Sequence, residues 1–179
     1  HNFIIDRYPS GIPEKMACKI MYQVLNAVNY LHKNNIWHRD IKPDNLLVVN
    51  SDEKNPKVVL SDFGFARKFE NEGSLCKEYL GTPEFTAPEI YKMGEYTNKV
   101  DIWSLGVSLF VMLTAKYPTC SFQRNPIKCR LLIERGLLNF DLLNDMCISN
   151  DAIDLVKKMC TLDECLRITA EDALNHSWI

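Results

Sequence analysis

The sequence has no apolar run approaching the roughly 18 residues of a membrane span, and it reads as carrying no signal peptide. It has no internal repeat and no low-complexity linker. A strong charge of either sign is also missing. Lys and Arg number 21 against 23 Asp and Glu, a net charge of −2. That gives no electrostatic reason to expect nucleic acid or an anionic membrane as a partner. The seven cysteines, at 18, 76, 120, 129, 147, 160 and 165, include no C-x-x-C pair and no Cys/His cluster with zinc spacing. An odd number without such a pattern reads as reduced thiols in a cytoplasmic or nuclear protein. No G-x-G-x-x-G occurs, so the chain brings no glycine-rich cradle for phosphates. It starts on histidine rather than methionine and reads as a fragment or a processed product.

What remains is 179 residues, 46% of them hydrophobic: one domain, or most of one, with apolar side chains enough for a real core. The most chemically loaded stretch is His38-Arg39-Asp40-Ile41-Lys42-Pro43-Asp44-Asn45. Asp40 can accept a proton from an incoming hydroxyl. Lys42 can neutralise charge on a phosphate in flight. Asn45 can offer its amide oxygen to a hard metal ion. Alone, the stretch is also compatible with a charged turn. Seventeen residues after Asn45 stands Asp62-Phe63-Gly64, and further on Ala87-Pro88-Glu89. The three occur in the order of the protein-kinase signature. The chain therefore resembles the C-terminal, large lobe of a eukaryotic serine/threonine protein kinase. In motif style it is nearest to the calmodulin-dependent and cyclic-nucleotide-dependent groups.

Periodicity predicts a mainly α fold. Ser10-Gly11-Ile12-Pro13-Glu14 reads as a turn into a helix, with proline tolerated in the first turn. From about Glu14 to Lys33, Ile20, Val24, Ala27, Val28 and Leu31 form one buried stripe, and Asn34-Asn35 ends it. Residues 46–49 and 58–60 read as the strands of a short hairpin across a polar turn at 50–57. That hairpin would bring Asn45 and Asp62 to one metal site. Residues 65–86 are a long polar segment with little periodicity, and a loop of that length is usually functional. Residues 98–113 are apolar nearly all round, which predicts a central, buried helix. Asp101 opens it and would be expensive to bury unpaired. Pro118 breaks the chain, and residues 151–159 and 169–174 read as short amphipathic helices, the second capped by Thr169.

The kinase resemblance implies roles for particular residues. Asp40 is the catalytic base or the group that orients the substrate hydroxyl. Lys42 and Thr82 mark serine/threonine substrates, with Thr82 bonded to both Lys42 and Asp40. Asn45 and Asp62 are the Mg²⁺ ligands at bound ATP, and Leu47 is the floor under adenine. Phe63 packs as core near His38, which makes His38 structural. Gly64 allows backbone rotation that a β-carbon would hinder. The segment from Gly81 to Glu89 cradles the substrate beside the phosphoacceptor. Glu89 pairs with Arg167, and Asp101 receives backbone N–H groups of the catalytic loop. Asp44 sits where basic-directed kinases often carry an acid facing substrate arginine, while Val111 stands where many of them have glutamate.

One position departs from the pattern. Arg39 precedes Asp40, as in kinases switched on by activation-loop phosphorylation. Their phosphoacceptor commonly stands four residues before the equivalent of Thr82, and here that residue is Glu78. A carboxylate carries about −1 against a phosphate's −1.5 to −2. The expectation is that Glu78, with Arg39 and Arg67, holds the loop without phosphorylation; Ser74 and Tyr79 remain candidate phosphosites.

The resemblance takes residues 1–179 as a partial kinase domain: a large lobe with a short β-hairpin between the catalytic and metal-binding loops. The small β lobe is missing, and the hinge that bonds adenine is absent or reduced to residues 1–8. The implied function is transfer of the ATP γ-phosphoryl to Ser or Thr hydroxyls of protein substrates, with Mg²⁺. The 179-residue chain alone is expected to be poorly active or inactive. The alternative is a non-catalytic, one-lobed kinase-like protein that binds substrates or partners. Asp40, Lys42, Asn45 and Asp62 together count against it, because a binding module needs no such set. Oligomeric state is not legible.

Overall fold

In a computed structural model of the chain, all residues are described except 1–6, 51, 53, 72 and 120–124. Most of the expected hinge, two residues of the predicted polar turn and Cys120 therefore lie outside the described residues. Among the latter the elements run, in order, α1 (Glu14–Lys33), β1 (Ile36–Trp37), β2 (Leu46–Val48), β3 (Val58–Leu60), β4 (Arg67–Lys68), α2 (Pro88–Tyr91), α3 (Lys99–Thr114), α4 (Pro126–Glu134), α5 (Asp141–Asp145), α6 (Asn150–Met159) and α7 (Ala170–Leu174). Single 3-10 turns cover Pro43–Asn45 and Pro83–Phe85. The mainly α class holds.

Helix α1 spans the residues its periodicity predicts. Ile20, Val24, Val28 and Leu31 are buried, and Ala27 is half-buried. The helix stops where two asparagines take over. Asn35 adopts φ 57°, the left-handed conformation that asparagine tolerates better than most residues. Every residue of α3 after Lys99 is buried. Its polar members stay satisfied because Ser104, Ser108 and Thr114 each donate to the carbonyl four residues back. At Gly106 a β-carbon would stand 2.7 Å from both Cys160 Sγ and Met159 Cβ. Glycine costs about 1 kcal/mol in a helix interior, and here it permits the close packing of α3 on α6.

The core has two parts. The larger joins α1, α3, α6 and the inner faces of β2 and β3, closed by Trp178. The smaller gathers Trp37, Phe69, Tyr91, Tyr96 and Trp103 beneath the segment after the hairpin. Arg167 is only 1% exposed at its edge. It grips Glu89 through two bonds of 2.6 and 3.0 Å and donates to the carbonyls of Thr161 and Lys99. Thr169 caps α7 by accepting from the Asp172 N–H at 3.0 Å.

Several features depart from the sequence-based expectations. The segment 65–86 is not structureless: Arg67 and Lys68 pair antiparallel with Trp37 and Ile36. Strands of two residues have no period to read. Helices α2 and α5 are too short to show one. Helix α4 has Cys129 and Ile133 buried, but Ile127 is 75% and Leu131 44% exposed, so no single apolar stripe marks it. At its start Asn125 accepts from the Lys128 N–H and Pro126 stands in the first turn. The expectation of reduced thiols throughout fails at Cys129, which is disulfide-bonded, while Cys18, Cys76, Cys147, Cys160 and Cys165 are free. Among the described residues no helix is long and apolar enough to cross a membrane.

Candidate active site

The loop between β1 and the Pro43–Asn45 turn is held from behind by one carboxylate. Asp101, on the first turn of α3, is wholly buried. Its oxygens accept the His38 N–H at 2.9 Å and the Arg39 N–H at 2.7 Å. His32 Nε2, at the end of α1, lies 2.9 Å from the same carboxylate. Burial pushes the Asp101 pKa up, but His32 and the two backbone donors outweigh it, and the carboxyl ends below its ordinary value. The two backbone bonds also fix Arg39 at φ 67°, a left-handed backbone that costs a non-glycine residue about 1–2 kcal/mol.

That turn presents Asp40 forward. Asp40 is 6% exposed. Its Oδ1 accepts the Thr82 hydroxyl at 2.7 Å and the Thr82 N–H at 3.0 Å; its Oδ2 accepts Lys42 Nζ at 2.8 Å. Lys42 Nζ also donates to Thr82 Oγ1 at 2.7 Å, which closes a triangle of Asp40, Lys42 and Thr82. Burial raises the Asp40 pKa, yet Lys42 and Thr82 outweigh it and leave the carboxyl below its usual range. Asp40 is therefore an ionised hydrogen-bond acceptor at neutral pH, able to orient a hydroxyl. Thr82 reaches it because Gly81 takes φ 108°, where a β-carbon would stand 3.1 Å from the Arg39 carbonyl oxygen.

Strands β2 and β3 pair Leu46 with Leu60, Leu47 with Val59 and Val48 with Val58. The Ser61 N–H continues the ladder to the Asn45 carbonyl at 2.9 Å, so Asp62 starts one residue from Asn45's partner. Asn45 Nδ2 donates to the Asp40 carbonyl at 2.8 Å, which leaves its amide oxygen as the free acceptor. Asp62 is exposed and takes φ 60°. Two oxygen-bearing side chains suit a hard cation such as Mg²⁺, which is commonly bound by one or two protein oxygens together with phosphates. Among the described residues no cluster of three or more His, Cys, Asp or Glu could hold a metal instead. Leu47 is 52% and Val59 44% exposed on the outer face of the hairpin.

Two expectations need correction here. Phe63 is not core: it is 49% exposed, although its ring lies 5.0 Å from that of His38. Nothing in the described residues covers its outer side. Gly64 does not adopt a left-handed backbone; its role is one of space, since a β-carbon there would stand 3.1 Å from Asp62 Oδ1. His38 is fully buried, with Nε2 3.0 Å from the Ser61 carbonyl oxygen, so it ties the Arg39–Asp40 loop to the segment at Asp62. Asp44 is exposed on its turn, in the electrostatic reach of Tyr117 along with Glu84.

In front of the loop, the Arg39 guanidinium donates to the Phe65 carbonyl at 2.7 Å and to Glu78 Oε2. Arg67 donates to Glu78 Oε1 at 3.0 Å. Arg39, and after it Arg67, holds the Glu78 carboxyl below the usual carboxylate range. Both Glu78 oxygens thus face arginines, and the Tyr96 hydroxyl donates to the Glu78 carbonyl at 2.8 Å. Sequence reasoning missed His32, Phe65 and Tyr96 as parts of this frame. A buried Asp101 needs hydrogen-bond partners, and His32, six residues before His38, was the available signal.

The protein kinase domain family matches residues 2–179. Calcium-dependent protein kinase 4 of Plasmodium berghei (strain Anka) is 38% identical over 163 residues, 91% of this chain and 30% of that protein. Its counterpart from Plasmodium falciparum (isolate 3D7) is 37% identical over the same shares. Serine/threonine-protein kinase cds1 of Schizosaccharomyces pombe is 37% identical over 176 residues, 94% of this chain and 37% of that protein. The chain thus spans about a third of the length of these curated relatives.

Proposed function

Because the chain belongs to the protein kinase domain family, we propose that it works as the large lobe of a serine/threonine protein kinase, which moves the γ-phosphoryl of ATP to a Ser or Thr hydroxyl of a protein. The observation that carries this reading is the triangle of Asp40, Lys42 and Thr82, in which both oxygens of an ionised carboxylate are held by serine/threonine-type partners. Asp40 accepts the hydrogen bond of the substrate hydroxyl and points its oxygen at phosphorus. Lys42, bonded to Asp40 Oδ2, offsets charge on the transferring group. Thr82 fixes the Asp40 rotamer and the start of the substrate-facing segment. Mg²⁺ bound with ATP would neutralise phosphate charge, held by Asn45 and Asp62. Leu47 offers an apolar surface to the adenine ring.

Further parts of the site follow from the same reading. Glu78, with Arg39 and Arg67, stands in for a phosphorylated activation loop. Asp44 faces the substrate. The partners are protein substrates, and the five free thiols among the described residues support a cytoplasmic or nuclear setting, against which the Cys129 disulfide stands. The glycine-rich loop and strand lysine of a small lobe are to be supplied from outside residues 1–179. The test is a phosphorylation assay on the full-length protein with MgATP and matched Ser, Thr and Tyr peptides. Ser and Thr peptides should be labelled and Tyr peptides not. Asp40→Asn should lower kcat by about 10²–10⁴, the range of a positioned acid–base group. Unchanged labelling by Asp40→Asn, or no labelling by the wild type, overturns the reading in favour of a non-catalytic binding lobe.

A further inference from the structure

Away from the site, α1 and the turn between β2 and β3 enclose a groove of about 480 Å³ lined by Tyr8, Pro13, Lys15, Met16, Lys19 and Lys54. Its volume is in the roughly 300–1,000 Å³ range of clefts that take a ligand group. The floor is apolar: Met16 is buried, with Pro13 and half-buried Tyr8 beside it. The rim carries three ammonium groups, and none of the three forms an ion pair among the described residues. The described carboxylates nearest in sequence are engaged elsewhere. Glu14 accepts from Ser149 and from Trp178 Nε1, and Asp52 accepts the N–H groups of Lys54 and Asn55. The walls are tied together. Lys19 donates to the Lys54 carbonyl, Gln23 Nε2 to the Pro56 carbonyl at 2.8 Å, and the Val58 N–H to Gln23 Oε1 at 3.0 Å.

We infer that this groove docks an acidic peptide segment of a partner protein that carries one large apolar side chain. The three lysines form no ion pair among the described residues and so can take acidic groups of a partner, and exposed Pro13 with half-buried Tyr8 leaves apolar surface that a side chain can cover. One ligand meets both needs when carboxylates flank a leucine-like anchor. Because the apolar surface lies at the bottom of a concavity, the ligand must reach into it, which a chain can do and a flat bilayer surface cannot. The inference does not depend on the chain's chemistry, since none of the lining residues belongs to the candidate active site.

The test is fluorescence anisotropy on the full-length protein with a labelled peptide of Glu and Asp around a central leucine. Binding should weaken as salt is added. It should fall about tenfold or more in Lys15→Glu/Lys54→Glu, where like charges meet, and also when the peptide's leucine is replaced by serine. Both lysines are exposed, so the thermal melt should not move, and Lys15→Glu alone should show a smaller loss in the same direction. Phosphorylation of a short unrelated peptide should be unchanged in these variants, which separates this inference from the catalytic one. Equal binding of a Lys-rich peptide, or binding indifferent to charge reversal, overturns it. So does charge-dependent binding of phosphatidylserine vesicles without binding of the peptide.

Discussion

Two carboxylates hold the same residue from opposite sides. Behind the loop that carries Arg39 and Asp40, Asp101 is 0% exposed and accepts the backbone N–H of Arg39; in front of it, Glu78 is exposed and accepts from the Arg39 side chain. The first is bonded by His32, His38 and Arg39 together and is closed off from the surface. The second faces solvent, which screens it, and shares itself between two arginines. Burial is what makes the difference. The rear contact sets the backbone at a left-handed Arg39 and so aims Asp40. The front contact can only bias where the segment at 65–82 rests. A buried carboxylate is suited to build a site, and an exposed one is suited to tune it.

The sharpest way to break the rear half is Asp101→Ala. It leaves two buried N–H groups and His32 without their acceptor, and stability should fall by about 3–5 kcal/mol in urea unfolding, the loss typical of breaking a buried charged network. A variant that folds but loses only a fraction of that would show that the loop holds its shape without Asp101. Asp101→Asn keeps the volume and tests the charge. The folded-state pKa of Asp101 is lowered, so the group contributes stability above its unfolded value of about 3.9 that is lost as pH falls through the folded value. Asp40 is lowered too and adds to the same acid limb. Unfolding midpoints in Asp101→Asn should therefore depend less steeply on pH below about 4. An acid limb as steep as in the wild type would assign that dependence to other carboxylates.

Thr82 sits between the two halves, half-buried and bonded to Asp40 and Lys42. Thr82→Ala removes the hydroxyl but keeps the backbone N–H that Asp40 accepts. The expected loss in kcat/KM is about tenfold, near the worth of one hydrogen bond to a charged group, with little change in stability. Thr82→Ser should restore most of it. A loss that serine does not restore would mean the methyl group, not the hydroxyl, positions Asp40.

How much was legible in the sequence follows the same division. The contacts of Thr82 with Asp40 and Lys42, of Glu89 with Arg167 and of Asp101 with the His38 and Arg39 N–H groups could be expected because the kinase resemblance implies those residues at those positions. Helices α1 and α3 could be read because burial imposes a period, or its absence all round, over many residues. The pairing of β1 with β4 could not, because two-residue strands carry no pattern and are held by the stacking of Trp37 on Phe69 at 3.8 Å. Phe63 was misread for a different reason. A large aromatic predicts burial only when its cover belongs to the described chain, and here the side facing away from His38 is open. The same openness exposes Leu47 and Val59.

The smallest expected effect tests the front half. Glu78→Ala removes the acceptor for one guanidinium nitrogen of Arg39 and one of Arg67, but leaves the Arg39 bond to the Phe65 carbonyl and the backbone anchors on Asp101. Exposed ion pairs are worth little, so activity of the full-length protein on a Ser/Thr peptide should fall by less than about fivefold. The loss should shrink further at high salt, where such a pair is screened. Glu78→Gln keeps the hydrogen-bonding shape and removes the charge, so it should fall between the wild type and alanine. If Glu78→Ala matched the wild type at low salt, the carboxylate would be a solvated side chain with no hold on the loop. If it lost activity as deeply as Asp101→Ala loses stability, exposure would no longer separate the two sides of Arg39. The segment at 65–82 would then be as much a part of the site's frame as α3.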